Sequence, residues 1–202
     1  MRTRKILLAI LAVATIGGTL GLSPAAQAAP KGDTPAAPAA PVGDAGVTAG
    51  FQGRQIDLAD GWQGAQTCAV HSRTEVVCYA THAEADKAVG YSRATDALYQ
   101  KQARQVGADA ALLAVPACAS GWLCLYEHIN GGGRRLIFSD EYWMYLDEYG
   151  FDSQTSSWRN NQGSSDQGHL SLYNYSGVFN LSANAYASQM GSYNDQAYAV
   201  WA

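Results

Sequence analysis

The sequence predicts a mainly β protein in which a β-sandwich follows a small α+β region. Three observations support this fold class. After Pro116 the chain contains short strands of alternating apolar and polar residues, separated by Gly, Asn and Ser turns. The same stretch carries a faint internal repeat. Before it, an Ala-rich segment begins with a helix-start signal. We therefore expect an α+β region over residues 51–113 and a β domain over residues 117–202.

The first 28 residues have the pattern of a secretory signal peptide. A basic start with Arg2, Arg4 and Lys5 precedes an apolar run, and Ala26-Gln27-Ala28 offers a small-residue cleavage site. A transmembrane helix is the weaker alternative, because glycines and a Ser-Pro step interrupt the run. Residues 1–28 are therefore predicted to be removed, and the mature protein to be secreted and extracellular.

Composition and charge limit the classes of partner. Residues 29–50 consist largely of Ala, Pro and Gly and are predicted to form a disordered linker. Removal of three signal-peptide cations changes the formal net charge from −4 to −7. An acidic protein with scattered Lys and Arg is a poor ligand for nucleic acid or anionic lipid. We expect no nucleic-acid partner, no integral membrane segment after signal removal, and a monomer.

The first part, residues 51–113, is predicted to contain a hairpin followed by helices. Its expected strands are Gln55–Leu58, Thr67–Val70 and Glu75–Tyr79. Thr81 and Glu84 form a capping box, so a helix is expected to begin there. Gly90 is expected to interrupt the helix, and a second helical segment is expected to end at Gly107. No functional motif stands out in this part.

Four cysteines are expected to form two disulfides, because export places them in an oxidising compartment. Cys68 and Cys78 flank one predicted hairpin, and Cys118 and Cys124 flank another. Of the three possible connectivities, this nearest-neighbour pairing closes the smallest loops. In the chain-entropy model, each bridge would raise the free energy of unfolding by roughly 2 to 3 kcal/mol. Zinc binding is disfavoured, because neither pair has the short spacing of a metal knuckle.

The internal repeat predicts two similar units in the second part. Leu123-Cys124-Leu125-Tyr126 recurs as Leu170-Ser171-Leu172-Tyr173. The segment from Gly150 to Gln154 is echoed by the segment from Ser192 to Gln196. Two Greek keys stacked into a sandwich would produce this doubling.

Each unit also carries an aromatic residue and an oxygen-rich turn. Tyr126 is followed seven residues later by Gly133, within a glycine run that lets a hairpin adopt positive φ. Downstream, the segment from Asp152 to Ser157 concentrates carboxylate, amide and hydroxyl oxygens. This pairing resembles a βγ-crystallin Greek key, which implies that Tyr126, Gly133 and Ser157, with Tyr173 in the second unit, are fold-motif residues.

The crystallin resemblance also implies a calcium site that draws on both units. Asp152 and Ser156 would contribute from the first box, and Asn194 and Asp195 from the second. The second unit lacks the paired hydroxyls, so at most one site is expected. The alternative is that the hydroxyls satisfy the backbone of the turn. We expect no required cofactor, with calcium as an optional ligand. Asn180 takes the place of the second hairpin glycine and is expected to adopt the left-handed conformation.

The residues around the second cysteine pair resemble a family of secreted bacterial inhibitors. Cys118-x5-Cys124-Leu-Tyr-Glu-His is similar to the Streptomyces metalloproteinase inhibitor type, which shares the crystallin fold. The resemblance implies a secreted peptidase inhibitor, with an extracellular metallopeptidase as its partner. This chain has no cysteine after Cys124, so no reactive bond is transferred from the family. The exposed loop from Asn160 to Gly168 is a candidate contact by position.

Enzymatic function is not expected. The four histidines are scattered and form no metal-binding helix motif, and no nucleophile elbow is present. Two acidic pairs, Asp140-Glu141 and Asp147-Glu148, are interpreted as a solvated rim instead of a glycosidase dyad. The alternatives to inhibition are a calcium-stabilised structural or envelope-associated crystallin module and an antimicrobial, killer-toxin-like crystallin. The role of residues 51–113 stays open between a second inhibitory element, a folding aid and a structural cap.

Overall fold

The computed structural model describes residues 36–39 and 46–202. The predicted signal peptide, residues 1–28, and most of the predicted linker lie outside the described residues. These described residues belong to one compact unit. Among the described residues, none of the helices has the length and hydrophobicity needed to span a bilayer.

Strands dominate the described chain, and the helices lie between the fourth and fifth strands. The strands are β1 Thr48–Phe51, β2 Arg54–Asp57, β3 Thr67–Ser72, β4 Glu75–Tyr79, β5 Leu123–His128, β6 Gly132–Phe138, β7 Trp143–Tyr145, β8 Ser157–Asn160, β9 Gly168–Leu172, β10 Phe179–Leu181, β11 Ala185–Ala187 and β12 Ala197–Trp201. The helices are α1 His82–Ala88, α2 Ala97–Val106 and α3 Ala108–Ala114, with short 3-10 turns at Ile129–Gly131 and Gly191–Tyr193.

The strand order confirms the predicted βγ-crystallin-like Greek-key sandwich. One sheet has eight strands in the order β11-β8-β5-β6-β3-β4-β1-β2, and the other has four in the order β10-β9-β12-β7. The first unit, β5 to β8, places β7 in the four-stranded sheet. The second unit, β9 to β12, places β11 in the eight-stranded sheet. Each unit therefore gives its third strand to the other unit's sheet, which interlocks the two repeats.

The central strands are buried on both faces because each face packs into a different cluster of the hydrophobic core. In β5, Leu123 and Leu125 point into the cluster between the two sheets, where they share a core with Leu170. The alternate residues Cys124 and Tyr126 point to the opposite face and join a second cluster. Because the period of a strand is two residues, one strand supplies both cores. Val89 and Tyr91 of the helical segment pack against the second cluster, so the described residues form three layers.

The strands of the first part continue the sheet of the second. β3 pairs with β6 in parallel, with Thr67 opposite Arg135, and β1 pairs with β4 in parallel. The hairpin of residues 67–79 is thus part of the large sheet. The predicted linker over residues 29–50 extends too far, because β1 begins at Thr48, which pairs with Asp57, the last residue of β2.

The helical boundaries follow local capping signals. Thr81 accepts from the Glu84 N–H and the Glu84 carboxylate accepts from the Thr81 N–H, so the capping box starts α1 as predicted. Gly90, with φ 72°, ends this segment, and Gly107, with φ 89°, ends α2. Sequence reasoning missed α3. Gly107 also serves as its N-cap, but without a side-chain capping bond that would have marked a new start.

Both predicted disulfides are present. Cys68 and Cys78 lie directly opposite each other in the β3–β4 hairpin, with a Cα–Cα distance of 4.0 Å. Cys118 joins the first residues after the helices to Cys124 in β5, with a Cα–Cα distance of 5.9 Å. The second bridge lies in the core that the helices cover. Nearest-neighbour pairing is therefore confirmed.

The hairpin of the second unit differs from the expectation. Asn180 lies inside β10 and pairs with His169 of β9. It is absent from the positive-φ residues of the described chain, whereas Gly177 has φ 122°. The expectation that Asn180 adopts the left-handed conformation is wrong, because the turn is made three residues earlier by a glycine that tolerates this geometry.

Candidate functional site

The two oxygen-rich boxes lie side by side and pair through their backbones. The Ser153 N–H donates to the Ala197 carbonyl at 2.9 Å, and the Asp195 N–H donates to the Thr155 carbonyl at 3.0 Å. Ser153 and Asp195 occupy matching positions in the two repeats, and both have positive φ, 54° and 56°. The two boxes are therefore related by a local twofold in their hydrogen bonding, as two Greek keys would require.

Of the four predicted calcium ligands, the structure brings two into direct contact. The Ser156 hydroxyl donates to Asp195 Oδ1 at 3.0 Å. Asp152 accepts instead from the Ser153 hydroxyl and from the Tyr173 hydroxyl, each at 3.1 Å. Asn194 Oδ1 accepts from a backbone N–H at 2.9 Å. Within the described ranges, no group of three or more His, Cys, Asp or Glu side chains is placed to hold a metal ion.

The fold-motif serine fixes the hairpin of the first unit. The Ser157 hydroxyl donates to the His128 carbonyl at 2.7 Å and accepts from the Gly131 N–H at 3.1 Å. Gly133 has φ 68°, and a Cβ there would lie 2.8 Å from Glu127 Cβ. The motif thus works through one hydroxyl that bridges the turn and one glycine that lets Glu127 approach the backbone.

Glu127 and Arg134 fasten the same hairpin, and sequence reasoning missed this pair. The Arg134 N–H donates to Glu127 Oε2 at 2.9 Å, and its guanidinium donates to Oε1 at 3.1 Å. Burial alone would raise the pKa of Glu127, but these bonds lower it below its usual value. Arg134 also donates to Gln154 in the first box and lies 4.8 Å over the Trp62 ring. The available signal was a pair of opposite charges seven residues apart, on either side of the glycine run.

The fold-motif tyrosines occupy different environments. Tyr126 is buried, and its hydroxyl donates to the Ala117 carbonyl beside the Cys118–Cys124 bridge. Burial raises its pKa to about 12, so it stays a neutral donor. Tyr173 is 49% exposed and contacts the Tyr198 ring at a centroid distance of 4.9 Å. The first tyrosine therefore supports the core, while the second lies at the surface.

A buried ion pair attaches the helices to the sheet. Asp96 is the N-cap of α2, and both its carboxylate oxygens accept from the Arg159 guanidinium, at 2.6 and 2.8 Å. Arg159 also donates to the Pro116 carbonyl at 2.9 Å. In β6, which lies two strands from β8 in the large sheet, Arg135 donates to Asp86 of α1 at 2.7 Å. These contacts hold the helical region against the large sheet.

The loop from Asn160 to Gly168 is held by several hydrogen bonds and presents an exposed tip. The Asn160 amide donates to the Asp166 carbonyl and to the Leu181 carbonyl, each at 2.9 Å. Asp166 in turn accepts from the Gly163 N–H at 3.0 Å. Gly163, Ser164 and Ser165 at the tip are exposed. The loop is thus internally hydrogen-bonded and anchored to β8, with its tip free to contact another molecule.

Two of the four histidines and both acidic pairs make hydrogen bonds within the fold. His82 Nδ1 lies 2.7 Å from the Thr67 hydroxyl, and His169 Nδ1 lies 3.0 Å from Asn180 Oδ1. Burial lowers the pKa of both rings. In each acidic pair the aspartate, Asp140 or Asp147, accepts from the backbone N–H of the next residue. These bonds cap local turns.

The architecture is that of a disulfide-tied β-sandwich built from two Greek keys. Residues 113–180, about a third of the chain, match the model of peptidase inhibitor family I36. This match confirms the inhibitor resemblance of that segment and supports a non-enzymatic protein. No curated protein matches the chain significantly.

Two solved structures show weak overall similarity. One comes from work on the evolution of the eye lens beta-gamma-crystallin domain fold, with 17% identity and a TM-score of 0.36, covering 42% of this chain and 86% of the other. The second is spherulin 3A from Physarum polycephalum, with 16% identity and a TM-score of 0.34, covering 43% of this chain and 84% of the other.

Proposed function

We propose that this protein is a secreted inhibitor of extracellular metallopeptidases that acts by contact of exposed loops. The observation that carries the proposal is the match of residues 113–180 to a peptidase inhibitor family. Two disulfides and the signal-like N-terminus support secretion. The metallopeptidase target rests on the resemblance of the Cys118–His128 segment to the Streptomyces inhibitor type.

The loop from Asn160 to Gly168 is the proposed contact. A rigid loop loses little conformational entropy on binding, so more of its contact energy appears as affinity. The bonds from Asn160 and within the Gly163–Asp166 turn supply this rigidity. The loop follows β8 directly and lies inside the segment that matches the inhibitor family.

Titration of the purified protein against a thermolysin-type metallopeptidase tests the proposal. We expect stoichiometric loss of peptide hydrolysis, with a serine peptidase unaffected at the same concentration. Unchanged metallopeptidase activity in the presence of excess protein would contradict an inhibitory function of this class.

A pair of serine variants tests the loop. Ser164→Arg places a long cation at the exposed tip. We expect inhibition to weaken by about tenfold or more, because a poorly packed charge at the centre of an interface reduces the favourable binding free energy by about 1.4 kcal/mol or more. Ser176→Arg, at an exposed position in the β9–β10 turn, is the matched control. If only Ser176→Arg weakens inhibition, the contact lies on that hairpin instead.

A second candidate function, calcium binding, is favoured by the contact between Ser156 and Asp195. These oxygens lie 3.0 Å apart and come from different boxes, as a shared site requires. Further ligands would have to be amide or backbone oxygens. Calcium that binds only the folded protein must raise its melting temperature. We expect a rise at millimolar calcium that Asp195→Asn abolishes, and an unchanged melting temperature would remove this candidate.

A further inference from the structure

Tyr173 and Tyr198 form an aromatic pair at the surface of the four-stranded sheet. Their ring centroids are 4.9 Å apart, and the Tyr173 hydroxyl is held by Asp152 Oδ1 at 3.1 Å. Tyr198 is the extra residue of a β-bulge, because Ala197 pairs with Leu172 while Ala199 pairs with the preceding residue of β9. Bulges redirect side chains and are common beside binding sites.

A distant segment of the chain contacts Tyr198. The Tyr198 hydroxyl donates to the Pro38 carbonyl at 3.0 Å across 160 residues of sequence. Within Ala36–Ala39, Pro38 is partly buried whereas the three alanines are exposed. Pro38 is therefore the least exposed residue of this segment, and its carbonyl accepts the hydrogen bond from Tyr198.

The sequence around Pro38 has the spacing of a polyproline II ligand. Pro35, Pro38 and Pro41 recur every three residues. A polyproline II helix has three residues per turn and no internal hydrogen bonds, so its carbonyls are available to an external donor. Proline-rich segments are recognised by aromatic surfaces in this manner, because little backbone entropy is lost on binding.

We propose that Tyr173 and Tyr198 form a binding site for an extended proline-containing peptide, which Ala36–Ala39 of this chain occupies. The Tyr198 hydroxyl supplies the hydrogen bond, and Asp152 orients the Tyr173 ring. The tether keeps the local concentration of the segment high, so a weak contact suffices to dock it. This site is separate from the proposed inhibitory loop and does not depend on inhibition.

Nuclear Overhauser effects between Pro38 and the Tyr198 ring, measured on the whole secreted chain, test the proposal directly. We expect these effects in the unmodified protein and a clear loss of intensity in Tyr198→Phe. The lost hydrogen bond corresponds to about a two- to twelvefold change in the docking equilibrium. Tyr145→Phe is the matched control, since Tyr145 lies in the adjacent strand β7. Absence of the effects in the unmodified protein would overturn the proposal.

A peptide added to a vacated site provides an independent test. Pro38→Gly removes the proline from the chain, and a synthetic peptide with the sequence of residues 34–41 is then titrated. We expect chemical-shift changes at the Tyr173 and Tyr198 rings and none at Tyr145. A peptide with alanine in place of every proline should produce changes at least about threefold smaller. Equal changes for both peptides, or none for either, would contradict a proline-specific site.

Discussion

Arg159 shows how one buried charge can organise a large part of this molecule. Its side chain is 1% exposed and that of its partner Asp96 is 2% exposed. Desolvation of both charges is costly and is offset only by close, bidentate hydrogen bonds. The sequence offered no sign of this pair, because the partners lie 63 residues apart and on different types of element. Arginine side chains are rarely fully buried unless they are paired, so nothing in the sequence pointed to a core position for Arg159.

Removal of one member of the pair should therefore be severe. Arg159→Met leaves the Asp96 carboxylate buried without its cation, and we expect the free energy of unfolding to fall by about 3 to 5 kcal/mol. Glu127→Gln, in a pair whose side chains are 22% and 25% exposed, is the control and should cost about 1 kcal/mol or less. Urea denaturation measures both values, and similar losses would contradict the buried-pair argument.

The same aspartate should make stability depend on acid. Burial alone would raise the pKa of Asp96, but hydrogen bonds from Arg159, Tyr99 and Tyr91 lower it below its ordinary value. Its contribution is therefore present above the unfolded pKa, about 3.9, and is lost as pH falls through the lower folded value. Denaturation series from about pH 6 to pH 2 should show a steeper loss below about pH 4 in the natural protein than in Asp96→Asn. Parallel curves would contradict this assignment.

At the scale of single elements, short sequence patterns correctly predicted the helix start, the helix ends and the hairpin glycine, which depend on neighbouring residues. The capping box at Thr81, the breaks at Gly90 and Gly107 and the hairpin glycine Gly133 all act within a few residues of sequence. The conformation of Asn180 was predicted incorrectly, because the repeat suggested a hairpin of the same length in both units. The second turn instead bends at Gly177, which a weak repeat cannot specify.

Replacement of Gly133 tests the hairpin geometry. Gly133→Ala must accept positive φ and bring its Cβ 2.8 Å from Glu127 Cβ. Gly53→Ala meets only the first penalty, since its φ is 77° and nothing lies within 4 Å of its Cβ position. We expect a loss of about 1 to 2 kcal/mol for Gly53→Ala and about 1 to 3 kcal/mol more for Gly133→Ala. Thermal denaturation measures the difference. Equal losses in the free energy of unfolding would show that the Glu127 side chain moves away from the new Cβ without destabilising the fold.

At the scale of the whole molecule, the repeat predicted the two Greek keys but not their continuation into the first part. The pairing of β3 with β6 joins residues around Thr67 to residues around Arg135. Parallel pairing between distant strands depends on which sheet edges remain available, and no short pattern encodes that. The helical segment likewise contacts the sheet through Asp86 and Asp96, whose partners come from the second part.

The continuous sheet predicts a single unfolding transition. If residues 51–113 and 117–202 were independent domains, calorimetry would show two transitions. We expect one, with equal calorimetric and van't Hoff enthalpies. The double variant Cys68→Ala/Cys78→Ala should lower the free energy of unfolding of the whole described fold by about 2 to 3 kcal/mol. The double variant Cys118→Ala/Cys124→Ala should have a similar effect. Separate melting of one part in either variant would contradict a shared core.

The parallel β3–β6 junction also has a consequence for biosynthesis. In the proposed export, the chain reaches the oxidising compartment N-terminus first, so the β3–β4 hairpin arrives before β6 and one of its edges meanwhile stays without its neighbour. An open strand edge invites pairing with other chains. The Cys68–Cys78 cross-link forms within the hairpin itself and needs nothing made later. Oxidation of this early hairpin would hold it in native register until its neighbour arrives, which makes the timing of thiol chemistry a determinant of yield.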